Sequence, residues 1–465
     1  VARPPARARR TNGRGQRIWT GLALVAAGLI GLGMVYYWAS AAGLNRELTT
    51  PRTSGPAELR PLPYPYRAAV GLTLSPEPGL DLKGLAKALR LVNAAQDPAS
   101  GAGLGLEAGG SLLFYPPSPD WLAYFNPPGP EGDEGRRVLN ALIRAGLVDV
   151  LDSYGPGADF SRESAERALA ALAEQGLFIQ TWADRFAGPD NLRLGGGRGA
   201  SRGRLAYHLD LTLKAGFRFF WLGRTSRLIG QDSPVGWSSF SSLYRAEHPL
   251  DSLGQAAGAW LQHFLDVIAA DETNARRANR LFSPIEFSDG SKAFEFVRYG
   301  HGLEPVELAQ VLSRANLDRL VEQGGKMIIA GRLRPEPSGR PLSPGDEAAL
   351  RRLAARQAED QILVCTATRL LTYARTWRYL KWRAEPQNGQ VSIFLEGMDD
   401  PVDGPRKPGL SELAGLTFYV PSATRAKIVY DGREMLLERH LIDPSGRESV
   451  SLPWPRLSLP DLPVE

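Results

Sequence analysis

The sequence predicts an α/β protein: a β/α barrel preceded by one transmembrane helix and followed by a small all-β domain. Three observations carry this. Apolar runs of strand length alternate with amphipathic segments from residue 68 to residue 382, the pattern of a parallel sheet buried on both faces. After Glu385 the helical periodicity stops and only strand-like runs follow. Near the amino terminus, Ile18 to Trp38 run 21 residues without a charge, enough at ~1.5 Å per residue to cross a ~30 Å hydrocarbon layer.

Residues 1–17 hold six arginines (Arg3, Arg7, Arg9, Arg10, Arg14, Arg17) and no acid. This asymmetry makes them a cytoplasmic tail and puts the folded remainder on the periplasmic or external side of the cell membrane. Trp19, Tyr36, Tyr37 and Trp38 stand where interfacial anchors belong. A cleavable signal peptide is the rival reading, since Ala39-Ser40-Ala41 has the small-residue spacing of a cleavage site. The apolar run is longer than the ~7–15 residues of a signal core, which favours an uncleaved anchor. Ala23, Ala27 and Gly31 form a small-residue stripe that lets another transmembrane helix approach, so the expected partners are the membrane and other membrane-protein subunits. Outside the tail the chain carries 49 basic against 50 acidic residues, and bulk charge supports no nucleic-acid face. A single cysteine, Cys365, excludes an intrachain disulfide and a cysteine-based zinc site.

Residues 39–66 are rich in proline and read as an extended stalk. The barrel is expected over 67–384, with strands at 68–74, 104–107, 111–115, 148–151, 177–182, 217–222, 294–299, 326–330 and 362–367. The helices between them are expected at 81–96, 133–146, 162–175, 205–215, 304–322, 344–358 and 367–382. Seven or eight such units favour a closed or nearly closed barrel over an open doubly wound sheet. The glycines of 101–110 do not form the dinucleotide fingerprint, and no G-x-S-x-G elbow is present. Residues 385–465, with turns at Asp431-Gly432 and Asp443-Pro444-Ser445-Gly446, read as the small β-rich domain.

The runs YRAAVGLTLSPEP (66–78), LIRAGLVDVLDSYG (142–155), LFIQTWADR (177–185), LAYHLDLTLKAGFRFFW (205–221), LDRLVEQGGKMIIAGRL (317–333) and ILVCTATRLLTY (362–373) resemble a bacterial group within the polysaccharide-deacetylase-like, carbohydrate esterase type of β/α barrel. The resemblance implies metal-assisted attack of water on an N-acetyl carbonyl. It also implies aspartates at the end of the first strand and histidines at later strand ends. This chain has Ser75 and Glu77 at the first, and Asp152, Asp184 and Arg332 where the others are expected. A hydrolytic metal needs about three protein ligands, so the expected state is a pseudoenzyme with no metal and no cofactor.

His208 and Asp210 remain in YHLD and, with Trp182 and Trp221, are candidates for a residual pocket; His208 also reads simply as a hydrogen-bonded helix residue. His248, His263, His301 and His440 are isolated and read as structural. Glu77, Glu107, Asp152 and Asp184 offer acids for a glycosidase pair ~5–9 Å apart. Residues 195–204 offer three arginines among glycines, an anion nest or a solvated loop. Tyr115, Trp182 and Trp221 suit either stacking on sugars or core packing. The expected role is therefore a non-catalytic, membrane-anchored accessory, scaffold or binding subunit of a membrane or envelope assembly, with a glycan as candidate ligand. The alternative is a carbohydrate-active enzyme, either a deacetylase or a glycosidase.

Overall fold

The computed structural model describes residues 32–461 except 33, 96–102, 126–131, 156, 158, 194–196, 237–238, 241–248, 269–278, 301, 338 and 388. Ala23, Ala27, Gly31, His248, His301 and most of the 18–38 run therefore lie outside the described residues. Among those described, no helix is long and apolar enough to cross a membrane.

The chain is a mixed α/β protein. A helix over 34–49 (α1) leads to β1 (Arg52–Ser54), β2 (Ala57–Leu59) and β3 (Ala68–Pro76). The main layer continues through α2 (Leu82–Asn93), β4 (Gly109–Leu112), α3 (Gly132–Arg144), β5 (Val148–Leu151), α4 (Arg162–Glu174) and β6 (Thr181–Ala183). Next come α5 (Leu209–Lys214), β7 (Phe219–Trp221), β8 (Thr225–Ser226), α6 (Pro249–Ile268), β9 (Phe282–Glu286), β10 (Lys292–Phe296) and β11 (Arg298–Tyr299). A one-turn α7 (Leu308–Val311), α8 (Arg314–Gln323), β12 (Lys326–Leu333), α9 (Pro344–Ala358), β13 (Ile362–Cys365) and α10 (Ala367–Tyr379) complete it. The caps explain several boundaries: Asp81 accepts from the Gly84 amide at 2.7 Å, Ser343 accepts from the Asp346 amide at 3.1 Å ahead of Pro344, and Gly324 ends α8 at a φ of 62°. The run at 104–107, expected as a strand, is not one, and 177–182 contributes only Thr181–Ala183.

The strands form one sheet in the order β12-β3-β4-β5-β6-β7-β10-β9, with every neighbouring pair parallel except β10 and β9. β13 pairs with β3 from Ala68 to Gly71, leaving Thr73 and Leu74 for β4. One face of the sheet packs against α2, α3, α4, α5, α8 and α9 in a continuous core. The other face encloses α10. Ala69, Val150, Ala183, Phe219, Phe294 and Ile328 surround Leu370, Leu371 and Ala374. The helix starts at β5, where the Thr368 amide donates to Asp149 at 2.8 Å, and ends where Tyr379 stacks on Phe294 at 5.9 Å.

The stalk expectation is corrected: residues 39–66 hold most of α1 together with β1 and β2. The prolines fall outside the strand ladder, and one side chain stabilises their turn. The buried Arg60 guanidinium donates to the carbonyls of Leu62, Pro63, Pro65 and Tyr66 at 2.6–3.0 Å and to the Tyr419 hydroxyl at 3.1 Å. β2 pairs with β17 (Thr417–Val420), so this segment joins the sheet β1-β2-β17-β21-β20, with β20 (Glu438–His440) and β21 (Glu448–Ser451). The facing sheet comprises β14 (Leu380–Gln387), β15 (Gln390–Asp400), β16 (Gly404–Arg406), β18 (Ala426–Tyr430) and β19 (Arg433–Glu434). Leu59, Ile393, Phe418 and Ile428 lie in their shared core. The β-rich region thus draws strands from both sides of the main layer, and β14 begins one residue after α10 ends.

Gly71 sets how closely α10 can approach, because a Cβ there would lie 3.2 Å from Ala367 Cα and from Leu370 Cδ2. Gly71→Val should cost about 1–3 kcal/mol of unfolding free energy by overpacking. Adding Leu370→Ala should recover part of that loss in urea titrations, whereas simple additivity of the two losses would place the helix elsewhere.

Candidate functional site

α10 is set against β3 at Gly71, and polar side chains gather at the carboxyl ends of the strands, the usual place for sites in such sheets. Ser75 on β3 and Ser111 on β4 lie there side by side, their hydroxyls 3.1 Å apart, and Ser111 donates to Asp152 at 2.5 Å. Asp152 follows β5 and is pinned by its amide to the Leu112 carbonyl at 2.8 Å. Ser153 takes a φ of 72°, the turn that carries the chain away from the sheet.

Two buried guanidiniums flank Asp152. Arg185 lies 3.6 Å away and Arg298 lies 3.9 Å away, both almost fully buried. Arg185 also pairs with Glu77, donates to the Pro76 carbonyl at 2.9 Å, and covers the rings of Trp121 at 5.0 Å and Phe186 at 5.4 Å. Arg298 stacks on Trp221 at 4.3 Å, and its burial pulls its pKa down to about 10 against the opposing pull of Asp152. The alternation continues outward: Arg332 lies 4.0 Å from Glu77 and 3.5 Å from Glu307, and Glu307 lies 3.4 Å from Arg334.

Of the positions singled out in the sequence, Ser75, Glu77, Asp152 and Arg332 meet at this mouth. Asp184 does not. It turns to the opposite side of the sheet, accepting from Trp182 Nε1 at 2.7 Å and from the Leu192 amide at 2.9 Å. Burial pushes its pKa up to about 8 despite those two donors. The proposed residual pocket is likewise divided. Trp182 and His208 pack together on the helix-covered side, ring centroids 5.4 Å apart. Trp221 belongs to the concave side, and Asp210 pairs with Arg162 at 2.8 Å toward solvent.

His208 is fully buried and hydrogen-bonded, Nδ1 to the Thr212 hydroxyl and Nε2 to the Asp190 carbonyl, both at 2.9 Å. Burial drops its pKa to about 4. Glu107 is also away from the mouth, paired with Arg369. Arg185, Arg298 and Ser111 complete the mouth and were not singled out as site residues. The sequence signal for Arg298 was an arginine that shares the mostly apolar and aromatic run FEFVRY with a single acid, Glu295.

The resemblance implies a divalent metal, and the donor set does not fit one. Asp152 faces two fixed cations, Arg332 stands at a ligand position, and among the described residues no three His, Cys, Asp or Glu side chains are grouped to hold a metal ion. A separate cleft of about 640 Å³ lies between α10 and the terminal segment, lined by Phe178, Thr372, Tyr373 and Trp454. Its charged groups are already engaged: Arg369 holds Glu107, Arg456 holds the Gly105 carbonyl, and Asp149 caps α10.

No family model and no curated protein matches this chain. Among solved structures it is similar to a GH128 (subgroup I) endo-beta-1,3-glucanase from Amycolatopsis mediterranei in complex with laminaritriose. The two share 16% sequence identity at a TM-score of 0.21, covering 62% of this chain and 99% of that one. The deacetylase resemblance therefore remains a likeness of motifs, and the reading of the site rests on its geometry.

Two outcomes follow. Asp152→Leu leaves the buried Arg298 without its carboxylate and Arg185 with Glu77 alone, and should lower unfolding free energy by about 3–5 kcal/mol in urea at neutral pH. His208 has a folded pKa below its unfolded value, so the unfolded state takes up its proton first and stability falls as pH drops from about 6.5 toward 4. In His208→Gln that slope should flatten, as read from urea midpoints at pH 7 and pH 5.

Proposed function

We propose that this chain is a carbohydrate-directed protein of the cell envelope, held by the Ile18–Trp38 anchor, that binds saccharide at the sheet mouth rather than hydrolysing it. The observation that carries this reading is the rim around Arg185: half-exposed Trp121, Phe186, Glu77 and Arg332 surround a buried guanidinium. Aromatic faces suit the C–H surfaces of sugar rings, and the adjoining carboxylate and guanidinium offer acceptors and donors to hydroxyls. Because the rim charges are already paired, they are held in place before any ligand arrives, which reduces the ordering cost of binding.

A second reading, a glycosidase using Glu77 and Asp152 as its acid pair, is favoured by one fact: both carboxylates reach the same guanidinium of Arg185. Against it, Arg185 sits between them, where the two acids of a glycosidase must flank the scissile bond.

Calorimetric titration of the full chain in detergent with β-1,3-glucan, chitin and cellulose oligomers separates these readings. Saccharide binding weakened about 2–10-fold by Trp121→Ala, with no new reducing ends released, supports the binding reading. Release of reducing ends that is lost in Glu77→Gln would replace it with the enzyme reading. Absence of binding to every oligomer would sink both.

A further inference from the structure

Six of the large hydrophobic side chains exposed among the described residues, Val35, Tyr36, Trp38, Leu253, Leu261 and Leu265, belong to two helices that touch each other, α1 and α6. On α6, Leu253, Leu261 and Leu265 are 55%, 51% and 50% exposed. At ~100° per residue they share, with Gly254, Ala257 and Gly258, one sector of about 140° that carries no charge. The adjoining sector is buried: Trp260, His263, Phe264 and Val267 pack around Tyr37 of α1, with Tyr37 ring centroids 6.1 Å from Trp260, 5.8 Å from His263 and 5.4 Å from Phe264. Gln262, beyond the other edge of the stripe, donates to the Thr225 carbonyl at 2.9 Å. The apolar stripe is thus neither core nor a polar helix surface.

What covers it follows from the position of Tyr37, the next-to-last residue of the uncharged 18–38 run. Val35 and Tyr36 of the same run are exposed on α1. α1 is in turn fastened to the sheet layer: Asn45 exchanges two hydrogen bonds of 2.9 Å with the Val235 backbone, and Glu47 pairs with Arg280 at 2.7 Å. A segment that leaves the hydrocarbon at Trp38 while Tyr37 is packed on α6 holds α6 at the depth where the bilayer ends. We propose that α6 lies in the membrane interface, its Leu253/Leu261/Leu265 stripe seated ~5–10 Å into the headgroup and acyl boundary. The inference rests on the anchor reading above. It adds that the folded part is laid onto the lipid surface in one orientation rather than swinging on a tether.

The test uses the full chain, whose Cys365 is fully buried with its thiol pKa raised by that burial, so an introduced cysteine is the one that labels. Leu261→Cys and Leu205→Cys, the latter on the far more exposed 89% site, each carry an environment-sensitive fluorophore in phosphatidylcholine vesicles. The expected result is flotation of both proteins with the vesicles. The Leu261 probe should be quenched by nitroxide lipids and protected several-fold from aqueous iodide relative to the Leu205 probe. Flotation with equal iodide quenching at both sites would overturn the interfacial placement while leaving the anchor standing. Failure to float would overturn the anchor and this inference with it. Protection that arises only when other membrane proteins are added would assign the stripe to a protein partner and also overturn the proposal.

Discussion

The enclosure of α10 by the curled sheet is the constraint on which the rest of the molecule depends. A helix needs a channel about 10 Å wide, and the sheet supplies it by placing Ala69, Gly71 and Ala183 on the concave side near the start of the helix and reserving Phe219, Phe282 and Phe294 for its end. The same helix connects the layers. Arg375 reaches Asp400 and Asp403 at 2.6 Å, and Arg378 reaches Asp232 at 2.9 Å and the Phe282 carbonyl at 2.8 Å. Asp232 is fully buried; burial alone would raise its pKa, but Arg378, Lys326 and Arg280 together hold it below the ordinary carboxylate range. The main sheet and the β-rich region are therefore joined through buried charge as well as through the chain.

Filling the amino-terminal half of the concave face leaves the strand carboxyl ends as the place for chemistry, and there the chain has built an alternating ion network. Arg298, Asp152, Arg185, Glu77, Arg332 and Glu307 follow one another across the mouth at 4.0 Å or closer. Each charge in such a network is costly to bury alone and tolerable beside its neighbours. The network's carboxylates are already occupied by fixed cations.

The amino-terminal region shows how little composition says about order. A proline-rich stretch reads as a spacer because proline breaks ladders, yet here Arg60 donates to four carbonyls between Leu62 and Tyr66 and fixes the turn that follows β2. α1 is fixed in the same way by Asn45 and Glu47. The folded part is therefore held close to the end of the uncharged run.

By itself the sequence determined the α/β character, most of the strands and helices and the change to β structure after the last helix, because each of these is written in local periodicity. Ser75, Glu77, Asp152, Asp184 and Arg332 were grouped through the family resemblance; four of them converge because parallel strand ends do, and Asp184 does not. Tertiary structure alone decided that α10 lies inside the sheet and that β1 and β2 belong with β17. It also placed Asp184 and His208 on the opposite side from Asp152, and brought Arg298 to Asp152 across 146 residues of chain. The physical reason is that amphipathic spacing specifies that a face is buried but not against what. Which surfaces meet depends on side-chain volumes and paired charges that are distant in sequence.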